Sequence, residues 1–331
     1  MNRLCHALLL LFITLVVSGC NGEQSAFAPS GVEAMRVSIL FWIMTIGGFV
    51  VLIWVCAATY IAIFGRQQIR YRFSSENFIS TFGIALPVVV LTLLLVYGFL
   101  VLRAGAYTVP GVPDDADIAV SGELWWWRVT YTGPDGQHVS SANELHVPVG
   151  KPVRLALTSA DVIHSFWVPQ LAGKLDMIPG RTNILTLEAT EPGISRGQCA
   201  EYCGGAHAFM SFHVVAHPPD EYADWLASEA APAQEPGTSE QRRGAKVFRD
   251  AGCGGCHTVR GTNAKGMIGP DLTHVGSRRS LGAATLPNNA QAFADWIVNS
   301  QHIKPENKMP EFSIFSDNEL RLLAIYLEGL K

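Results

Sequence analysis

The sequence has few charged residues and no cluster of basic ones. Asp, Glu, Lys and Arg make up 16% of its 331 residues, with a net charge of −4. The absence of a basic patch argues against nucleic acid as a partner. A hydrophobic share of 49% and a mean hydropathy of +0.22 are high for a soluble protein, and much of the excess precedes residue 103. Length alone suggests about two domains beside that apolar region.

The sequence also lacks the even cysteine count of a disulfide framework. It has seven cysteines, so full pairing would leave one thiol over. Cys5 and Cys20 lie within the first 20 residues and Cys56 lies in an apolar run. The other four form two short clusters, and the chain has no visible internal repeat. The cysteines therefore indicate two local sites.

Residues 1–20 have the layout of an export signal. Arg3 gives a basic start, Leu8–Val17 is apolar, and the small pair Ser18-Gly19 precedes Cys20. The ending VSGC resembles a bacterial lipobox, which predicts a lipid anchor at Cys20. An ordinary signal peptide with a chance cysteine is the alternative. Either way, the chain is expected to begin outside the cytoplasm at Asn21.

Two long apolar runs, Val37–Phe64 and Phe78–Leu102, predict a transmembrane hairpin over residues 36–103. At ~1.5 Å per residue each helix exceeds ~35 Å, enough for a hydrocarbon layer of ~30 Å. The connecting loop carries Arg66, Arg70 and Arg72, which places it in the cytoplasm. The sequence thus predicts a two-pass protein of the bacterial inner membrane with both ends on the periplasmic side. Pro87 predicts a kink in the second span.

The chain beyond the hairpin changes character twice. Residues 114–226 show short apolar alternations separated by turn signals, which predict an all-β sandwich or barrel. Residues 227–240 are rich in Ala, Pro and Glu and predict a linker. Residues 241–331 are predicted to be helical, and the capping box Ser316–Glu319 opens a final helix.

The thiol loop QCAEYCGGAHAFM is a candidate metal site. It holds Cys199, Cys203, His207 and Met210, and His164 lies upstream where a strand would end. Thiolate and thioether ligands select soft metals such as copper, and imidazole also suits copper. Two cysteines indicate two copper ions bridged by both sulfurs. A Cys199–Cys203 disulfide is the structural alternative.

The spacing C-x-E-x-C-x-x-x-H-x-x-M, with the upstream VIHSFWVP, is similar to the binuclear copper (CuA) motif of cytochrome c oxidase subunit II. The similarity covers residues 36–226. It implies a cupredoxin-like domain in which the Glu201 side chain reaches a magnesium ion at the border with subunit I. It also implies that Trp125, the first of three tryptophans, is the residue at which electrons enter. The implied copper ligands are His164, Cys199, Cys203, His207, Met210 and the backbone carbonyl of Glu201.

The second cluster, CGGCH, has the spacing of a haem c attachment site. Cys253 and Cys256 would bind the haem vinyl groups, and His257 would bind the iron. A redox C-x-x-C pair or a disulfide is the alternative. Met309 is expected as the second axial ligand because it precedes the final helix, with Met267 as the rival. The flanking GAKVF and IGPDL resemble class I cytochromes c.

The whole chain resembles subunit II of oxidases with a fused cytochrome c domain. The resemblance implies a fold in three parts: a two-helix transmembrane hairpin, an all-β cupredoxin-like sandwich and an all-α class I cytochrome c domain. It implies an electron relay from an external donor, such as a cytochrome c or an upstream complex, through haem c and CuA. Subunit I, which reduces oxygen and pumps protons in that family, and subunit III are the implied partners of this proton-translocating cytochrome-c oxidase.

Other functions share part of this pattern. The electron-accepting subunit of a CuA-containing nitric oxide reductase is the main alternative, since its chemistry would lie in another polypeptide. Nitrous oxide reductase shares the copper motif, but it is soluble and has a large residue such as Trp at the position of Glu201. The hairpin and Glu201 therefore argue against it. An electron-carrier lipoprotein without an oxidase would not need two spans. Quinol oxidase subunits II lack the cysteines, so a quinol donor is disfavoured.

The sequence departs from the family at Ser80, where many members have a glutamate near the entrance for protons. The nearest acid is Glu76.

Overall fold

The structure, a computed structural model, describes residues 22–105, 116–133 and 135–331. The predicted signal peptide, residues 1–20 with Cys20, lies outside the described residues. The helical hairpin forms one compact unit, and the domains that follow it form a second unit together with residues 22–32.

The hairpin unit contains two helical stretches that are long and apolar enough to cross a membrane. They are Val32–Phe64, with a mean hydropathy of 2.5, and Glu76–Arg103, with a mean hydropathy of 2.7. The two predicted runs lie within these stretches. The helices of the unit are α1 Val32–Phe64, α2 Gln67–Phe73, α3 Glu76–Phe78 and α4 Leu86–Gly105.

A π-helical segment, Ile79–Ala85, joins α3 to α4. It ends two residues before Pro87, which has no N–H to donate to the carbonyl four residues earlier. In a π-helical turn each carbonyl pairs with the N–H five residues on, so the turn is wider than in an α-helix. The structure therefore has an irregular helix just before the proline at which the sequence predicts a kink.

The β domain that follows is a sandwich of two five-stranded sheets, with strand orders β3-β2-β1-β5-β8 and β4-β10-β9-β6-β7. Parallel pairs join β1 to β5 and β4 to β10, and the other neighbours are antiparallel. The strands are β1 Ile118–Glu123, β2 Trp126–Thr132, β3 His138–Ala142, β4 Glu144–Pro148, β5 Val153–Ser159, β6 His164–Trp167, β7 Leu175–Met177, β8 Asn183–Leu187, β9 Gly193–Cys199 and β10 Ser211–His217.

The sandwich forms because alternate residues of each strand point to one face and are apolar. In β1, for example, Ile118 and Val120 are buried while Ala119 between them is exposed. The inward faces of the two sheets share a core that includes Trp127, Phe166 and Phe212. This core fixes the ends of β6 and β9, which carry the first two predicted copper ligands.

The cytochrome domain is built from three helices and connecting loops. They are α6 Ser239–Asp250, α7 Ala290–Ile303 and α8 Asp317–Glu328. The predicted capping box is confirmed, since Ser316 and Glu319 each bond the other's backbone N–H. A short hairpin, β11 Ser280–Leu281 with β12 Leu286–Pro287, was not predicted, because two-residue strands leave no periodic pattern.

The predicted linker is more ordered than its composition indicates. Its first residues form the last turn of a helix, α5 Pro219–Ala230, which precedes α6. Beyond α5, Ala231 O accepts a hydrogen bond from His274 Nε2 at 3.0 Å, and Ala233 N donates to Arg260 O at 2.9 Å. Backbone bonds to the cytochrome domain thus hold the middle of a segment that has no regular structure of its own.

Candidate metal centres

The two thiols of the copper loop lie side by side without bonding to each other. Cys199 ends β9 and Cys203 lies in the loop that follows; each is 4% exposed. Their Sγ atoms are 3.8 Å apart and both cysteines are free. A disulfide has an S–S distance of about 2.05 Å. The structure therefore opposes the disulfide alternative and leaves both sulfurs available to a metal.

The other predicted donors surround this sulfur pair. His164 Nδ1 lies 3.8 Å and Glu201 O lies 3.1 Å from Cys199 Sγ. His207 Nδ1 lies 3.4 Å and Met210 Sδ lies 3.8 Å from Cys203 Sγ. Each sulfur thus has a histidine nitrogen and one weaker donor beside it. Thiolate, imidazole and thioether groups in this arrangement match the ligand preferences of copper.

Asp161 orients the upstream histidine. Its Oδ1 lies 2.9 Å from His164 Nε2, so the other ring nitrogen, Nδ1, faces Cys199. Burial alone would raise the pKa of Asp161, but hydrogen bonds from His164 and from the Leu124 N–H lower it. A carboxylate on the remote nitrogen is a common partner of a metal-binding histidine. Sequence reasoning missed this role, although Asp161 stands only three residues before His164.

A glycine makes room for the same imidazole. A Cβ atom added to Gly122 would lie 2.7 Å from His164 Cδ2, which is closer than real contacts allow. Gly122 belongs to β1 in the opposite sheet, so the sandwich core brings strand and histidine together. A lone glycine within a strand signals such a close approach only weakly.

One thiol of the pair loses its proton easily, and the other retains it. A hydrogen bond from Cys203 and others from His164 and the backbone lower the pKa of Cys199 to about 4, although burial opposes this. The bond to Cys199 and burial raise the pKa of Cys203. Metal ligation requires thiolates and displaces the remaining proton. A bound metal cation would therefore be favoured, because its positive charge balances the negative charge of the buried thiolates.

Trp125 lies directly against the copper loop. Its indole Nε1 donates to Cys203 O at 3.0 Å, and its side chain is 6% exposed. The positive φ of Gly204, 113°, turns the loop just beyond this carbonyl. The tryptophan predicted to accept electrons thus has a hydrogen bond to a predicted copper ligand.

The CGGCH segment presents its histidine in a fixed orientation. His257 Nδ1 lies 2.8 Å from Pro270 O, which leaves Nε2 free for a metal. Burial lowers the pKa of His257, so the ring is neutral, as a ligand must be. A Cβ on Gly269 would lie 2.6 Å from His257 Cε1, so the predicted Gly-Pro loop packs on the ring.

A largely apolar cavity lies between His257 and Met309. The two cysteines of the segment also line it, together with Phe293 and Trp296 of α7. Met309 Sδ lies 3.1 Å from Trp296 Nε1. Met267 does not line this cavity, and 75% of its surface is exposed. An apolar slot with thiols on one side and opposed imidazole and thioether groups fits a covalently bound haem.

The wall of this cavity is completed by the copper domain. Leu124, Trp125 and Trp126 line it beside the cytochrome residues. Both sites therefore share Trp125, since its indole is bonded to the copper loop and the residue lines the haem cavity. No sequence pattern predicts this contact, because it joins segments from two domains.

Comparison with known proteins identifies both domains. Residues 117–217 match the family described as cytochrome C oxidase subunit II, periplasmic domain, and residues 241–331 match the cytochrome c family. Cytochrome c oxidase subunit 2 of Alkalihalophilus pseudofirmus is 34% identical over 335 residues, covering 97% of this chain and 96% of that protein. The chain belongs to the cytochrome c oxidase subunit 2 family. It is a subunit of a haem-copper terminal oxidase, with a cytochrome c domain fused to the copper domain.

Two further proteins are similar to this chain. The Bacillus subtilis protein is 28% identical and covers 98% of this chain and 97% of its own length. The periplasmic domain of subunit II from Bradyrhizobium japonicum, a solved structure, is 36% identical and covers 36% of this chain and 96% of that one, with a TM-score of 0.32. As a member of this family, the chain is a two-pass membrane protein with a CuA copper domain and a haem domain.

Proposed function

We propose that electrons reach this subunit at the cytochrome domain and leave it from the copper domain toward the oxygen-reducing subunit I. The position of Trp125 carries this proposal. The residue lines the haem cavity, and its indole N–H is bonded to the carbonyl of Cys203. A single residue thus contacts both candidate sites.

The proposed haem ligands are His257 and Met309, with covalent attachment at Cys253 and Cys256. Bound in these sites, the haem and the copper pair would supply reversible one-electron chemistry. The protein residues hold the donors rigidly, since Asp161 and the Pro270 carbonyl each fix one histidine ring. The proposed copper ligands are His164, Cys199, Cys203, His207, Met210 and the Glu201 carbonyl.

The side chain of Glu201 is the proposed magnesium ligand at the border with subunit I. It is exposed while its own carbonyl faces Cys199, so the residue can serve two sites at once. Carboxylate oxygen is a ligand type that Mg²⁺ prefers. This assignment extends the proposal to subunit I as the partner that holds the remaining ligands.

We propose that both cofactor domains lie on the periplasmic side of the inner membrane. Residues 22–31 support this, because they pack on the β domain through bonds such as Gly31 N to Gln170 O, at 3.0 Å. The chain before the first span and the chain after the second are thus on one side. A lipid anchor at Cys20 and contacts with subunit III complete the proposed arrangement.

Substrate preference of the purified complex tests the proposed reaction. The intact membrane complex is given a reduced donor and assayed separately with oxygen and with nitric oxide. We expect oxygen consumption, because full-length relatives are cytochrome c oxidase subunits. Consumption of nitric oxide without oxygen would make this chain the electron-accepting subunit of a nitric oxide reductase instead.

A His164→Ala variant of the same complex tests the electron route. His164 lies beside Cys199 and is fully buried, so its loss removes a donor that no neighbour replaces. We expect loss of copper absorption and oxygen consumption, while the haem still becomes reduced by the donor. His138→Ala is the matched control, because that histidine is exposed on β3 of the same domain. Normal turnover in the His164 variant would show that electrons bypass the copper loop.

A further inference from the structure

Lys304 is a buried cation at the contact between the copper and cytochrome domains. It follows the last residue of α7 and is 2% exposed. Its Nζ donates to Trp125 O at 2.5 Å, to Phe209 O at 2.8 Å and to Gly282 O at 3.0 Å. Trp125 and Phe209 belong to the copper domain and Gly282 belongs to the cytochrome domain. One amino group thus bridges both domains through three backbone carbonyls.

The loop that supplies Gly282 makes further backbone contacts across the same boundary. Ser211 N donates to Ala283 O at 3.3 Å, and Arg196 Nη2 lies 3.4 Å from Ala284 O. Ala283 and Ala284 have φ values of 64° and 58°, a left-handed conformation that is uncommon for alanine. Such a conformation persists where surrounding contacts determine it. The loop is therefore shaped to fit the copper domain.

Lys304 is also connected to the loop of the proposed axial methionine. Asn307 Nδ2 donates to Lys304 O at 2.8 Å, and Met309 N donates to Asn307 Oδ1 at 2.9 Å. Lys304 therefore joins the backbone of Trp125 to the loop that carries Met309. A shift at this residue would be transmitted to both.

We propose that Lys304 is a positioning residue that fixes the cytochrome domain on the copper domain in one arrangement, with the haem cavity against Trp125. The inference that this sets the rate of electron transfer rests on the proposed function; the fixed docking itself does not. Lys304 lines the edge of the haem cavity but is not a proposed ligand of either metal, and it acts through the backbone carbonyls of Trp125 and Phe209.

The chemistry of the contact distinguishes it from a loose electrostatic encounter. Exposed ion pairs are weak and are screened by salt, whereas buried groups are screened much less. In its ammonium form, Lys304 donates one N–H to each of three carbonyls, and its removal would leave buried acceptors without a donor. Burial lowers the pKa of Lys304 to about 7, and the neutral amine still donates to two of the three carbonyls.

Lys308 offers a matched comparison four residues later in the chain. Its Nζ lies 3.5 Å from Asp161 Oδ2 of the copper domain, so it too spans the domain boundary. However, 62% of its side chain is exposed. The same residue type is thus present at the same boundary in a buried and in an exposed setting.

Amine labelling of the full-length holoprotein tests the fixed docking without reference to activity. The protein is treated with a small acylating reagent, and modification of each lysine is followed by mass spectrometry. We expect Lys304 to react at least tenfold more slowly than Lys308. Equal reaction rates would overturn the proposal, since a domain that moves freely on its linker would expose both lysines.

Intramolecular electron transfer tests the positioning role. The haem of the full-length holoprotein is reduced by a light pulse, and the appearance of reduced copper is timed at low and high salt. We expect a rate independent of salt in the native chain, a rate at least tenfold lower in Lys304→Met, and a change below twofold in Lys308→Met. Copper absorption should be retained in both variants, and the haem potential of each is titrated so that a change in driving force is told apart from a change in docking.

The possible results distinguish a failure of the docking proposal from a failure of the proposed electron route. Absence of transfer in the native chain would refute the electron route, and labelling would still decide the docking. A native rate that falls with added salt would show a screened, exposed contact and would overturn the proposal even if Lys304→Met failed to fold. Native-like transfer in Lys304→Met would remove the positioning role of Lys304.

Discussion

At the scale of single residues, two of the three proposed histidine ligands, His164 and His257, are each oriented by one acceptor on the remote nitrogen. Asp161 occupies Nε2 of His164, whereas the Pro270 carbonyl occupies Nδ1 of His257. The two rings therefore present opposite nitrogens to their sites. Carboxylate and carbonyl partners of this kind fix the tautomer and the orientation of a metal-binding ring.

The choice between two methionines can be decided at the same scale. Met309 lines the haem cavity, whereas Met267 is 75% exposed and does not. We expect Met309→Ala to lower the haem reduction potential by on the order of 100 mV, since axial ligands set potentials over about 0.8 V. Met267→Ala should leave the potential unchanged. Redox titration of the full-length chain measures both, and a drop confined to Met267→Ala would reverse the assignment.

At the scale of elements, the cytochrome domain depends on the crossing of its first and last helices. A Cβ on Gly244 of α6 would lie 2.0 Å from Leu322 O and 2.7 Å from Tyr326 Cβ of α8. No larger residue fits without moving one helix. The burial of Phe248 and Leu323 depends on this close approach, because the two helices share the domain core.

Gly244→Ala is therefore expected to destabilise the cytochrome domain by about 1–3 kcal/mol, the usual cost of overpacking a close contact. Denaturant unfolding followed by haem circular dichroism of the full-length chain measures the effect. Gly237→Ala is the control, because its added Cβ would meet only Gln241 Oε1, at an ordinary 3.8 Å. Equal stability of the two variants would show that the helices can separate freely.

The elements that the sequence predicts are those with local signals. The copper donors have fixed offsets along one loop, the hairpin has continuous hydropathy, and the final helix has a capping box. Lys304 has no such signal, since its partner Trp125 is 179 residues away and the bond runs to a backbone carbonyl. Asp161 lies only three residues before His164, but its role was not predicted, because that role depends on the tautomer of His164. Long-range contacts of this kind depend on packing and leave no periodic pattern.

At the scale of the whole molecule, docking of the cytochrome domain closes the copper domain to external donors. Trp125 is 6% exposed, its carbonyl accepts from Lys304 and the residue lines the haem cavity. A soluble donor therefore cannot reach this ring from outside while the domains are docked. Ile268, which lines the edge of the haem cavity, is 68% exposed, so this edge remains accessible. A soluble donor can therefore reach the haem more easily than the copper pair.

The order of reduction follows from this difference in access. When the oxidised full-length holoprotein is mixed with a reduced soluble donor, the haem should be reduced first and the copper absorption should change only afterwards. Raising the donor concentration should speed the first phase and leave the second unchanged, because the second is intramolecular. Stopped-flow absorption at both chromophores measures the two phases. A copper phase that precedes the haem phase, or that rises in proportion to donor, would mean that Trp125 is open to the donor in solution.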